Sequence, residues 1–395
     1  MKFAILFVLS MAICSMTLSQ PKFDIQTVNK VETSFNTVTN TIHQTKQGHF
    51  LYSAGDGNQI DLFAINERGE MKAIESYEVS GGKKTVRGLI SDTVHGKDLL
   101  FAGLKGGDAV EVFEIKANGR LQSLSVTKDT DTTYLGIVIT LQVVHMKDNA
   151  YLFVGGLEKT PGLSSFKITP EGDLEHIQSM ADTDSIFTDG IIGMSLHVID
   201  GKTYLLTGGF QDNGLSSWRI FENGQFENIS NIPDDNNLFL NGTYPVISTT
   251  IKGWNYVIVG HRHHSYYQPT PWVKDRHSYY YHGDAITVFW VNNQGQLVPR
   301  SAFIDNNETL IQGQTRLHRL PYNQNFDLIA AATRDDQSIQ LCMINQNGRL
   351  SDAGKIETGF PIYYGLTGYK IEGQLFLFAG SVDGKTMVSY RLDKQ

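Results

Sequence analysis

Cysteine is almost missing from this chain: 395 residues hold two, Cys14 and Cys342. Cys14 lies in the apolar opening stretch, so a chain cleaved after that stretch keeps Cys342 alone and no intramolecular disulfide. An exported protein without disulfides must be held by a large, closed core. Proline is scarce as well, at 10 residues. Helical periodicity is absent, and apolar residues come instead in short runs of strand length. No run beyond the first 14 residues is apolar enough to anchor the chain in a bilayer, so no membrane anchor is expected. Positive charge is not in excess either. Lysine and arginine number 33 against 41 acidic residues, a net charge of −8, one unit more negative once Lys2 is removed. That balance disfavours nucleic acid and anionic membranes as partners. Nucleophile elbow, P-loop, dinucleotide fingerprint and Cys/His catalytic pair are all missing.

The opening stretch reads as a secretory signal peptide over residues 1–19. Lys2 supplies the positive start, and Phe3 to Cys14 is apolar but too short to span a bilayer. Thr17 and Ser19 are the small residues before a cleavage at Gln20. Ile13 stands where a lipoprotein signal needs a small residue before its cysteine. The expected location is therefore secreted and extracellular. Three N-x-S/T sequons, at Asn228, Asn241 and Asn307, fit glycosylation of such a protein, although Asn228 falls in an expected strand.

What the chain does contain is a hairpin repeated six times. A bulky residue ends one strand, and six residues later a glycine opens the next. The pairs are Phe63/Gly69, Phe113/Gly119, Phe166/Gly172, Trp218/Gly224, Phe289/Gly295 and Cys342/Gly348. In four of them Asn or Gln precedes the glycine, a strong hairpin signal between apolar strands. The glycines recur every 50 to 53 residues, with one interval of 71. Each repeat holds four strand-length apolar runs, so the period describes one supersecondary unit that shares its core with its neighbours.

A seventh repeat has a third strand ending near Tyr390, and the chain stops at Gln395, where its fourth strand should begin. Phe23 to Val31 precedes the first repeat and has the character of that fourth strand. Pairing it into the last sheet would close a ring and leave no exposed edge. The expected fold is all-β: a seven-bladed β-propeller of four-stranded blades over residues 20–395, closed by the N-terminal strand. The bulky residues at the hairpins, with Tyr390, are expected to pack between blades, and Cys342 to be a buried thiol.

The runs Val110–Leu121 (VEVFEIKANGRL), Leu163–Leu174 (LSSFKITPEGDL) and Ile286–Leu297 (ITVFWVNNQGQL) resemble the repeat of seven-bladed lactonase-like propellers. That group includes the 6-phosphogluconolactonase-like enzymes. The resemblance covers nearly the whole chain after its leader but is carried by scaffold residues. It implies the propeller fold and, more weakly, a lactonase-like activity.

Two features fall at the propeller end where ligands usually bind. The first is a long insertion in the fifth repeat, residues 261–283, rich in histidine and tyrosine. A loop of that length is usually functional. It reads as a lid of packed aromatics, as a ligand surface, or as a metal site. The ligand-surface reading uses His261, His263, His264, Tyr266, Tyr267, Trp272, Arg276, His277 and Tyr279, joined by Arg87 from the channel mouth. The metal reading uses His261, His263 and His264, with Zn or Cu as the metal because imidazole suits both, but the spacing matches no standard zinc motif. The second feature is the set of mostly acidic turns that join repeats: Asp129, Asp131, Asp182, Asp184, Asp234, Asp235 and Asp305. They read as ordinary turn residues, or as a carboxylate ring for Ca or a cationic ligand.

Inner strands add Asp92, His197, Tyr244, Arg316, His318 and Arg319. Strand alternation forbids the last three from sharing one face. Arg316 and His318 are the candidate catalytic pair, as oxyanion partner and base. The leading expectation is a monomeric, secreted binding protein that recognises a glycan, small molecule or extracellular protein at its top face. The alternatives are a lactonase-like hydrolase or polysaccharide lyase in the central funnel, and a structural or adhesive protein with its tyrosines exposed.

Overall fold

A four-stranded sheet of about 50 residues has two apolar faces and cannot cover both by itself. Stacking sheets face to face around an axis solves this, and closing the ring removes the last open face. The computed structural model describes residues 21–80, 85–157, 161–235, 238–262 and 285–395. These residues form 28 strands, β1 to β28 in chain order, and no helix; the strands make seven antiparallel sheets of four. The first blade runs from axis to rim as β2 (Thr37–Thr45), β3 (Gly48–Gly55), β4 (Gln59–Ile65) and β5 (Met71–Glu78), and five more blades repeat that order. The seventh consists of β26 (Leu366–Ile371), β27 (Gln374–Gly380) and β28 (Thr386–Lys394), completed at the rim by β1 (Phe23–Glu32). The expected closure is therefore present, with Phe23 opposite Lys394 and Glu32 opposite Thr386.

Seven buried clusters lie one at each blade boundary, and each contains one of the bulky hairpin residues. Trp218 packs with Tyr151 and Phe153 of the preceding blade, and Phe166 packs with Leu99 and Phe101 of the blade before it. Phe63 meets Phe376 and Phe378 across the closing boundary. Cys342 takes the same place among Ile258 and Ile286, where burial pushes its thiol up and leaves it inert. Burial of one such side chain is worth roughly 1.5–3 kcal/mol, so the ring is held by its boundaries.

The hairpin glycine has a second role there. Gly295 adopts φ +80°, and a Cβ on it would lie 2.2 Å from the ring of Tyr204 in the preceding blade. Gly224 sits under Tyr151 and Gly119 under Phe50 in the same way. The turn needs a left-handed residue, and the neighbouring ring needs one with no side chain.

Each outer pair also carries a β-bulge beside the bulky residue. In the second blade the fourth strand skips Leu124, between the partners of Val112 and Phe113. The closing strand β1 skips Val28 at the same place, opposite Tyr390 and Ser389. A non-contiguous strand that keeps the bulge of its covalently joined counterparts is a genuine fourth strand.

Candidate functional site

The innermost strands begin, and the second strands end, at one end of the axis. Tyr244 is the second residue of β18 (Thr243–Ile251), and Tyr364 precedes β26. Across the axis their rings stack at 5.2 Å and 9°, with Phe210 edge-on to Tyr244 at 5.4 Å. Val38 and Ile192 complete this buried plug. The Tyr364 hydroxyl donates to that of Tyr244. Burial raises both phenols, Tyr364 well above its ordinary value, so both stay neutral hydrogen-bonding groups.

Arginines surround this plug. Arg262 follows β19 (Trp254–His261) and donates to the Tyr363 hydroxyl at 2.9 Å and the Tyr244 hydroxyl at 3.4 Å. Its guanidinium carbon lies 5.0 Å from the Tyr363 ring centre and 5.4 Å from that of Tyr244, within cation–π range. Arg334 stands 5.4 Å over the Tyr363 ring. Arg316, the third residue of β22 (Gln314–Asn323), is half-buried in the channel wall beside Tyr364. Its Nε is buried and has no hydrogen-bond partner among the described residues. Burial lowers its pKa, but a guanidinium remains charged at any physiological pH. A buried donor of this kind is costly unless something accepts from it.

Alternation along β22 places Arg316 and His318 on one side and Arg319 on the other, as the sequence demands. Arg319 reaches Asp327 at 2.6 Å, a carboxylate that Thr249 also contacts. His318 is lowered to about 3, by burial first and by Arg316 second. It is neutral at pH 7 and a weak base there.

The other channel residues are engaged within the scaffold. His197 donates to Tyr256 O at 2.9 Å, and burial lowers it to about 4. Arg87 pairs with Asp56 at 3.0 Å, and Asp92 with His145 at 3.0 Å.

Of the insertion, His261 and Arg262 alone are described. His261 is 3% exposed and its Nε2 accepts the Ala285 amide at 2.9 Å, while its own amide donates to Gln314 at 2.9 Å. His261 thus clasps the two ends of the insertion to the blade. His263, His264, Tyr266, Tyr267, Trp272, Arg276, His277 and Tyr279 lie outside the described residues. Of the sequons, Asn307 is exposed in a turn; Asn241 is 8% exposed, and Asn228 is half-buried in β17 (Phe226–Pro233), where its side chain bonds Asn231.

The acidic turns mainly hold their own loops. Asp129 accepts from Thr133 and the Leu135 amide, Asp234 from the Leu240 amide, and Asp305 from Thr309. One turn is different. Asp182, Asp189 and Asp212 bring carboxylate oxygens within 4.8 Å of one another, the one such group among the described residues. Burial and the adjacent carboxylates raise Asp212 to about 8, despite the Asp189 amide that donates to it at 2.6 Å.

Sequence reading had singled out Tyr244 and Arg316 but missed Tyr363, Tyr364 and Arg334. No family model matches the chain, and no curated protein matches it. The likeness to lactonase-like propellers therefore rests on the repeat and extends to the fold.

Proposed function

We propose that this propeller is a secreted binding protein whose ligand carries an anionic group and seats at the mouth of the channel. The observation that carries the reading is Arg316, whose buried Nε donor has no acceptor among the described residues, set beside the neutral phenol of Tyr364. Arg262 and Arg334 both stand over the Tyr363 ring, so two further guanidinium groups lie beside the plug. A carboxylate or sulfate on a small molecule or acidic glycan fits this arrangement, since guanidinium recognises both through paired N–H donors. The leader expected over residues 1–19, the single thiol among the described residues and the exposed sequon at Asn307 support an extracellular setting.

Calorimetric titration with galacturonate and glucuronate oligomers, against neutral glucose oligomers, tests the reading. Binding is expected for the acidic series alone. Arg316→Met should weaken it on the order of 30-fold, the size of one lost charge-assisted hydrogen bond. Equal binding of neutral and acidic sugars, or an unaffected Arg316→Met variant, would sink it.

A further inference from the structure

The opposite end of the propeller carries a groove that the mouth does not explain. It has a volume of about 410 Å³ and lies between the fifth and sixth blades, lined by Trp254, Trp290, Val298, Pro299 and Arg300, with Gln346 and Asn347 along one side. Trp254 is 49% exposed, and its ring meets that of Trp290 at 5.5 Å and 61°, so the two indoles form a V.

The repeat supplies an internal control for three residues of this groove. Trp290 follows the bulky residue of its hairpin. The same place in the other blades holds Ala64, Glu114, Lys167, Arg219, Met343 and Arg391. Val298 pairs with Trp290 across the strands. Its counterparts are Lys72, Gln122, Glu175, Glu227, Ser351 and Gln26. In the fourth blade that pair is the charged couple Arg219–Glu227. Arg300 is the bulged residue of β21 (Leu297–Ile304), and at the bulge the other blades place Ile74, Leu124, Ile177, Ile229, Ala353 and Val28. So at the places of Trp290 and Val298 the other blades are small, polar or charged, Met343 excepted, where the fifth is aromatic or apolar, and at the bulge six blades are apolar where the fifth is cationic. The scaffold needs none of the three, because six blades fold without them. All three departures converge on one groove.

Arg300 is held at the end of the V. Its Nε donates to Asn347 O at 2.8 Å, and its aliphatic stem lies against Gly348. Among the described residues no carboxylate pairs with it. A fixed guanidinium at the end of an aromatic slot is complementary to an anion on an apolar body.

We infer that this groove is a second ligand site, distinct from the mouth, for a small amphipathic anion: a ring or short hydrocarbon body between Trp254 and Trp290, with a carboxylate or sulfonate on Arg300. The apolar body supplies most of the affinity, since the indole faces are already exposed and lose water on binding. Arg300 supplies orientation and selects acid over neutral analogue.

The test uses the whole protein and the fluorescent aryl sulfonate anilinonaphthalene sulfonate, displaced in turn by phenylbutyrate, phenylbutyramide and methyl glucoside. Wild type should bind one equivalent saturably, and phenylbutyrate should displace it. Trp290→Arg installs the residue of the fourth and seventh blades, so the fold has a template for it, and should abolish binding while the urea transition stays cooperative. Arg300→Leu installs the apolar residue of the other bulges and should weaken phenylbutyrate about tenfold, the worth of one exposed charge-assisted contact, while leaving the amide unchanged. Saturable binding that survives Trp290→Arg, or no saturable binding at all, overturns the site. Amide and acid binding equally well, or displacement by methyl glucoside, overturns the ligand class.

Discussion

Trp218 and Trp290 stand one step apart on equivalent strands, and that step separates a closed core from the wall of a groove. Trp218 is the bulky residue of β16 (Gly214–Ile220). It is 0% exposed, and its indole N–H donates to Thr207 at 2.9 Å. Trp290 follows the bulky residue Phe289 in β20 (Ala285–Val291) and turns to the other face, into the groove. Successive residues of a strand face opposite ways, so identical side chains in neighbouring registers do unrelated things. What the fold requires is shared by every blade; what a blade has beyond that is where function is to be sought.

Alanine at each position breaks or sharpens that contrast, and it carries the largest effect. Trp218→Ala should cost about 3–5 kcal/mol, as expected for truncating a buried aromatic. Trp290 is half-buried against the cluster between the fifth and sixth blades, so Trp290→Ala should cost less, about 1 kcal/mol. Urea unfolding of both variants decides it. Comparable losses at the two sites would mean that Trp290 is structural after all, and the groove would lose its claim to be more than packing.

A pair of glycines makes the same point about turns, at smaller cost. Gly295 and Gly253 share a left-handed backbone, φ +80° and +81°. A Cβ at Gly295 meets the Tyr204 ring at 2.2 Å, whereas one at Gly253 meets nothing within 4 Å. Gly253→Ala should cost about 1 kcal/mol, for backbone strain alone. Gly295→Ala should cost about 2–3 kcal/mol, since the ring must also shift. Equal losses would show that the blade boundary yields freely around the turn.

Those turns explain how far the sequence could be read. Gly295, Gly224 and their counterparts are demanded locally, by hairpin geometry and a ring one repeat away, so the period was visible in the chain. The closing strand at Phe23 was legible because the seventh repeat lacked a partner. The plug was not. Tyr244 and Tyr364 meet across the axis although 120 residues separate them, and strand periodicity carries no information about which side chains converge at a ring's centre. Trp290, Val298 and Arg300 did leave a signal, since each departs from its place in the repeat. That signal appears only when the copies are aligned position by position, and the bulge that re-aims Arg300 has no signature of its own.

The fourth and sixth blades offer the finest comparison, between two copies of one acidic turn. In the sixth, Gln312 lies between two carboxylates. Its side-chain amide donates to Asp305 at 3.4 Å and its backbone amide to Asp336 at 2.8 Å. In the fourth, Asp189 takes the place of Gln312, between Asp182 and Asp212, and a donor becomes a third acid. The cost falls on Asp212, which is held at about 8 against an ordinary 3.8. A carboxyl raised in the folded state binds its proton more tightly there than in the unfolded chain. Its contribution to stability is therefore full below about pH 4 and declines as pH rises toward 8. Asp212→Asn should remove that decline. It should leave stability near pH 4 unchanged and raise it on the order of 1–2 kcal/mol at pH 8, after allowance for solvent around a partly buried group. Gln312→Asp should introduce the same slope into the sixth blade. Urea midpoints from pH 4 to 8 read both variants. If Asp212→Asn keeps the slope of the wild type, the three carboxylates are relieved by something other than a held proton, and the two turns differ less than their residues imply.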